Sequence, residues 1–296
     1  MLPHLLLLLA VILWGWTFVA TKVLLEELGL IEILAFRLAI GLPVLGLVLL
    51  ARRVPLRFAR EDARPLLLGG LAFTVHFLVQ VSGLTMTTAV NTGWIIAVTP
   101  LALALLSYLF LGERIGRAGA GGILLATSGI VLLVSRGRVT DLAWLQSTGD
   151  WLVLASAFTW AIYTVLTRDL VRRRSPLAAV FVILAVSGVL AAALLVAVGD
   201  PGAVRGLSLR GVVALLYLGV AGMAAGQWFW QEGVSRLGAT RAGLYLYLEP
   251  LATLALAVPL LGEPFGPFIA LGGALVLAGV YAGQRTPGAT RSSRRS

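Results

Sequence analysis

The chain has no cysteine, so it can form neither a disulfide nor a thiolate metal site. It has only two histidines, one of them His4 near the start, and that number cannot build a histidine metal centre. Charge is also scarce. Only 12% of the 296 residues are Asp, Glu, Lys or Arg, about half the share of an ordinary soluble domain. What fills the space is apolar: 59% hydrophobic residues and a mean hydropathy of +0.97. The apolar residues come in runs of roughly the 20 residues that cross a bilayer core as a helix. They do not alternate in polarity as barrel strands would, which leaves an all-α membrane protein.

Ten transmembrane helices are expected: Leu5–Leu25, Leu30–Leu50, Arg64–Gly83, Ala89–Leu111, Ile115–Ser135, Thr148–Arg168, Pro176–Val198, Leu209–Gln231, Thr240–Leu261 and Phe265–Gly283. The first run continues through Trp14-Gly15-Trp16 and is read as a span, not a removed leader. The longest connection, Arg136–Asp150, is the natural joint between two halves, 1–140 and 141–285; 286–296 is a basic tail of the composition that stays disordered. The net charge of +10 does not point to nucleic acid, because the arginines sit in short loops between spans. Seventeen of the 23 basic residues fall on one side of this arrangement and four on the other. The positive-inside rule then puts both termini in the cytoplasm of a cell whose inner membrane the chain spans.

The halves resemble each other. Leu111-Gly112-Glu113 recurs 150 positions later as Leu261-Gly262-Glu263, and Pro100-Leu101-Ala102 as Pro250-Leu251-Ala252. Gly83, Gly93, Gly122 and Gly129 likewise match Gly233, Gly243, Gly272 and Gly279. Five spans per half is an odd number, so the second copy enters from the opposite face. Two inverted five-helix repeats around a central cavity are the usual basis of alternating access.

These motifs are similar to those of the EamA family of the drug/metabolite transporter superfamily. The resemblance rests on Thr99-Pro100-Leu101 through Leu111-Gly112-Glu113 and its second copy from Glu249-Pro250-Leu251, and on Phe36-Arg37-Leu38, where Phe and Arg stand in reversed order. It covers Leu5 to Gly283. The resemblance implies a basket of ten helices around a cavity lined mainly by helices 1, 3, 4, 6, 8 and 9, and a role in exporting amino acids or other small metabolites.

Several residues are candidates for solute binding. Ala10, Trp14, Thr17 and Thr21 recur 146 residues later as Ser156, Trp160, Tyr163 and Thr167, each set on one helix face. Hydroxyls and indoles on one face suit either a cavity wall or close helix packing, and their duplication favours the wall. His76 and Gln80 share a face of the third helix; Asn91 and Trp94 follow on the fourth, Trp230 (with Gln227 and Gln231) on the eighth, and Tyr245 on the ninth. A histidine titrates near neutrality and could shuttle protons, or it could simply pack. Glu249 is the sharpest candidate, a carboxylate in mid-span just before Pro250. There it must pair, face water or hold a proton, and the last would allow proton coupling. Arg37 is expected to snorkel or pair with Glu32. Glu113 and Glu263 are expected to cap the helices that follow them. The Gly/Ala stripes of helices 5 and 10 suit scaffold packing and a homodimer face.

The expected function is therefore the export of small, uncharged or zwitterionic solutes, with the lipid bilayer and the solute as partners and no cofactor. A sugar-phosphate or nucleotide-sugar exchanger would need Lys or Arg deep in the helices and facing the cavity. A membrane enzyme would need a cluster of His, Asp or Glu that this sequence lacks. A non-transporting assembly subunit is the remaining alternative.

Overall fold

A computed structural model describes residues 1–113, 116–135, 147–261 and 267–284. Every regular element among them is helical. They are α1 (Leu2–Leu25), α2 (Leu30–Ala51), α3 (Ala63–Thr85), α4 (Ala89–Ile95), α5 (Thr99–Leu111), α6 (Arg117–Ser135) and α7 (Thr148–Arg173). The second part of the chain supplies α8 (Pro176–Val198), α9 (Leu209–Tyr217), α10 (Gln227–Leu237), α11 (Ala239–Gly243), α12 (Glu249–Leu261) and α13 (Pro267–Gln284). Seven helical stretches are long and apolar enough to cross a membrane, and two further apolar helices, Arg117–Leu132 and Leu271–Gly283, are shorter. The expected joint over 136–146, the cap by Glu263 and the tail lie outside the described residues.

Three of the expected spans are interrupted, each for a local reason. Pro100 opens α5, and the turn before it, Ile96–Val98, tightens to a 3-10 helix. A proline ring removes one backbone donor and crowds the carbonyl four residues earlier, so the regular ladder cannot run through. Its repeat counterpart Pro250 stands after a second 3-10 stretch, Leu244–Leu248. The third interruption is a π-helical segment, Leu218–Gly226, between α9 and α10. One carbonyl of that segment is met from outside: the Trp14 indole Nε1 donates to Gly222 O at 3.0 Å.

Helix α1 touches α9, α10, α12 and the π segment. Gly15 makes one of these contacts possible. A Cβ there would stand 2.7 Å from Glu249 O and 2.8 Å from Ala252 Cβ, so only glycine lets α12 lie this close. Glu249 is thereby fixed against α1. The glycine stripes of α6 and α13 meet each other: a Cβ on Gly122 would lie 2.6 Å from Gly279 O, and one on Gly129 2.6 Å from Gly272 O. These glycines serve the expected scaffold packing within the chain.

The first Leu-Gly-Glu copy has a different role from the expected cap. Gly112 ends α5 in the left-handed region, φ 64°, the conformation that glycine adopts without strain. Glu113 then turns away from α6. Its Oε1 accepts from Arg168 Nε at 3.1 Å and Nη2 at 2.8 Å, and its Oε2 from the backbone N–H (3.1 Å) and hydroxyl (2.8 Å) of Thr240. One carboxylate joins the end of α5, the end of α7 and the start of α11. A similar tie lies nearby: buried Asp62 accepts from Ala59 N at 2.9 Å and from Arg174 Nε at 2.7 Å. Both ties sit at the end of the bundle where the arginine-rich loops gather.

Glu113→Gln is expected to destabilise the protein by about 1–3 kcal/mol, because it leaves the mostly buried Arg168 guanidinium facing a neutral amide. The thermal midpoint in detergent measures this. Adding Arg168→Met should return part of the loss, and a double variant worse than either single one would contradict the assignment.

Candidate functional site

A partly open cavity lies between α1, α2, α3, α7, the α4–α5 junction, α10 and the start of α12. Its walls come from the second half of α1 (Trp14, Thr17, Phe18, Thr21), the first half of α2 (Arg37) and the second half of α3 (Phe73, His76, Phe77, Gln80). The first half of α7 adds Ser156 and Trp160; Thr99, Gln227 and Glu249 complete the polar lining. The cavity is thus displaced away from the end held by Glu113 and Asp62, toward the end where α1 and α3 finish and α2 and α7 begin.

Seven expected residues come together here: Trp14, Thr17, Thr21, His76, Gln80, Trp160 and Glu249. The repeat-related tryptophans touch, with ring centroids 5.0 Å apart in edge-to-face contact. Trp230 packs 5.5 Å from Trp14 and 5.9 Å from Trp160, and Tyr163 lies 5.1 Å from Trp160 and 5.5 Å from Phe73. Trp14, Phe73 and Trp160 line the cavity's floor, and Tyr163 and Trp230 pack behind them. Trp230 and Tyr163 are fully buried beneath its surface and do not line it, which corrects their expected place. The Tyr163 hydroxyl is engaged instead: it accepts from Gln231 Nε2 at 2.7 Å and lies 3.5 Å from Gln227 Oε1.

Three more expected residues stand elsewhere. Asn91 donates to Asp150 Oδ1 at 2.6 Å and to Thr87 Oγ1 at 3.2 Å, fastening α4 to the first turn of α7. Trp94 is half-buried against the core outside the lining. Tyr245 shares a 2.5 Å hydrogen bond with His4 Nδ1, beside a separate apolar crevice of Leu248, Leu277 and Val280. All three are polar or aromatic residues inside spans, and spacing within one helix cannot tell which neighbour each will meet.

Sequence reasoning missed Arg37. It neither snorkels nor pairs with Glu32, whose Oε1 accepts from Asp200 N at 2.8 Å. Arg37 is 7% exposed and turns inward, its guanidinium carbon 4.6 Å from the centre of the Phe77 ring. The signal was present: Ile33, Leu34, Arg37, Leu38, Gly41 and Leu45 form the buried stripe of α2, and Arg37 falls in the middle of it. Thr99, the repeat partner of Glu249, also lines the cavity, so the two motif copies present one side chain each.

The polar groups hold one another in part. His76 Nδ1 lies 3.1 Å from Ser156 O and 3.0 Å from Thr159 Oγ1, which joins α3 to α7. The Thr17 hydroxyl donates to Trp14 O at 2.6 Å, and that of Ser156 to Val153 O at 2.6 Å. Arg37 and Glu249 enter none of the ion pairs found among the described residues. Buried charge without a partner is costly, and membrane proteins keep it where a solute or ion passes. Among the described residues no group of three or more His, Asp or Glu could hold a metal ion.

Apolar spanning helices around a polar, aromatic-floored cavity suit a membrane transporter. The chain belongs to the EamA-like transporter family, whose model matches residues 1–135 and again 147–282. It is 29% identical over 281 residues to an uncharacterised transporter of Archaeoglobus fulgidus, covering 94% of this chain and 96% of the relative. A protein of Streptantibioticus cattleyicolor named "Probable terminal-alkyne amino-acid exporter" is 30% identical, with 97% and 95% covered. One of Salmonella typhimurium named "Probable amino-acid metabolite efflux pump" is 27% identical, with 93% and 92% covered. A solved crystal structure shares the fold, with a TM-score of 0.76 at 22% identity, over 96% of this chain and 98% of its own.

Proposed function

We propose that this protein exports amino acids or closely related small metabolites across the cell's inner membrane by alternating access, with Glu249 coupling the cycle to protons. The observation that carries the reading is the meeting of repeat-related walls. Trp14 on α1 and Trp160 on α7 close the floor of one cavity, and Thr99 and Glu249, counterparts in the two motif copies, face it together. Solute sites of this kind lie at the interface of two inverted repeats, near the middle of the membrane. The two family matches, one per half, support repeats at 1–140 and 141–285, and the one-sided arginine loops support ten spans with both termini in the cytoplasm. In that orientation the cavity is displaced toward the outside and the Glu113 and Asp62 ties close the cytoplasmic end. The names of the Streptantibioticus and Salmonella relatives support an amino-acid-like cargo.

The test is flux. Purified protein in liposomes loaded with a mixture of labelled amino acids should release a subset of them faster than protein-free liposomes, and faster still when a proton gradient runs against the direction of solute movement. Equal release from the two preparations, across amino acids, amines and sugar phosphates, would remove the exporter reading and leave the assembly-subunit alternative.

A further inference from the structure

Arg37 presents a problem that the fold does not solve. Its guanidinium keeps its charge under any cellular condition, and it is taken out of water with few partners. The side chain is 7% exposed, its Nε is buried with no hydrogen-bond partner, and it enters no ion pair among the described residues. The Phe77 ring supports one face of the guanidinium, and Arg37 Nη2 reaches the π segment, 3.4 Å from where a Cβ on Gly222 would stand. A ring face returns less than a full ion pair. The planar fork matches a carboxylate with two parallel hydrogen bonds.

The rest of the lining narrows the choice. Arg37 is the one Lys or Arg in it, Glu249 the one acid, and the floor is aromatic. A sugar phosphate would bring two negative charges to one cation and set the surplus beside Glu249. A simple amine would find Glu249, be repelled by Arg37 and leave that cation unanswered. A solute carrying one carboxylate and one ammonium balances both walls and presents its side chain to the rings.

We propose that Arg37 is the specificity-determining residue of the cavity, receiving the solute's carboxylate while Glu249 faces its ammonium, so that the protein selects zwitterionic amino acids over their amines and over phosphate esters. This deepens the exporter reading and rests on it.

The experiment is a binding and flux series with the full chain in detergent and in liposomes. The probes are leucine, phenylalanine and tryptophan, the decarboxylated amine of each, and glucose 6-phosphate. The wild type should bind at least one of the three amino acids about 10- to 100-fold more tightly than its amine, the range of a charge-assisted hydrogen-bonded contact. Arg37→Gln should erase that preference, leaving amine and amino acid alike. Arg37→Lys keeps the charge and carries the test should the glutamine variant not fold; it should retain only part of the preference, because an ammonium cannot form the two parallel bonds. A merely structural arginine would lower thermal stability and leave the amino-acid to amine ratio untouched, which would overturn the assignment. Movement of amines or of glucose 6-phosphate in place of amino acids overturns it too, while transport itself stands. No flux of any probe removes this inference and the amino-acid exporter reading together.

Discussion

Replacing Glu249 with glutamine is expected to abolish the response of transport to a proton gradient and to lower solute-specific flux by roughly 30-fold or more, the loss of about 2 kcal/mol of a buried charged contact. The argument starts from position. Glu249 is 6% exposed, lines the cavity and begins α12 directly before Pro250. Its backbone is pinned to α1 through Gly15, which fixes where on the cavity wall the side chain begins. In the proposed cycle this carboxyl alternates between holding a proton and facing the solute's ammonium. If the solute's ammonium and a proton compete for it, one leaves as the other binds, and a proton gradient drives the solute in the opposite direction. Glutamine keeps the size and hydrogen-bonding capacity but carries no transferable proton. The expected result is a flux independent of the gradient, measured in liposomes with an imposed pH difference. Undiminished pH-dependent transport by Glu249→Gln would end the proton-coupling proposal, and Glu249→Asp should keep part of the gradient response.

The second large effect is on stability and concerns a pair of helices remote from the solute. Gly122→Ala is expected to destabilise the protein by about 1–3 kcal/mol despite alanine's better helix propensity. The new Cβ would lie 2.6 Å from Gly279 O and 2.6 Å from the N and Cα of Gly283, all backbone atoms of α13, so no side chain can rotate away. Lipid tails are as apolar as leucine. Association within a membrane therefore relies on close packing, and separating α6 from α13 loses most of what joins them. The control is next door. Gly121 is exposed, and a Cβ there would meet nothing within 4 Å, so Gly121→Ala should be neutral or stabilising by about 0.5–1 kcal/mol. The two thermal midpoints in detergent check the contrast, and equal midpoints would mean that α6 and α13 do not pack this way.

Much of the fold was legible because bilayers impose strong rules. A chain this apolar has to satisfy its backbone internally, which made helices the expected form, and loop length with hydropathy located most of them within a few residues. The doubled Pro and the first Leu-Gly-Glu marked real features too: Pro100 and Pro250 each follow a 3-10 turn, and Gly112 does end α5 in the left-handed region. Repeat spacing also found the cavity's two tryptophans. What it could not find was the partner of any polar side chain. Tyr163 was placed with Trp160 on a shared face, yet it is held below the cavity by Gln231, 68 positions away.

The sequence by itself determined that this is an apolar helical membrane protein with internal repetition, and it marked Trp14, Trp160 and Glu249 as candidates for a cavity wall. Those conclusions depend on composition and on periodicity within one helix, which are local quantities. Only the tertiary structure decided that Glu113 binds Arg168 and Thr240, that the glycine stripes of α6 and α13 face each other, and that Arg37 turns into the cavity while Glu32 turns to Asp200. The physical reason is the same in each case. Within a membrane a polar or small side chain gains nothing from its own helix, so its role is set by whichever distant helix packs against it.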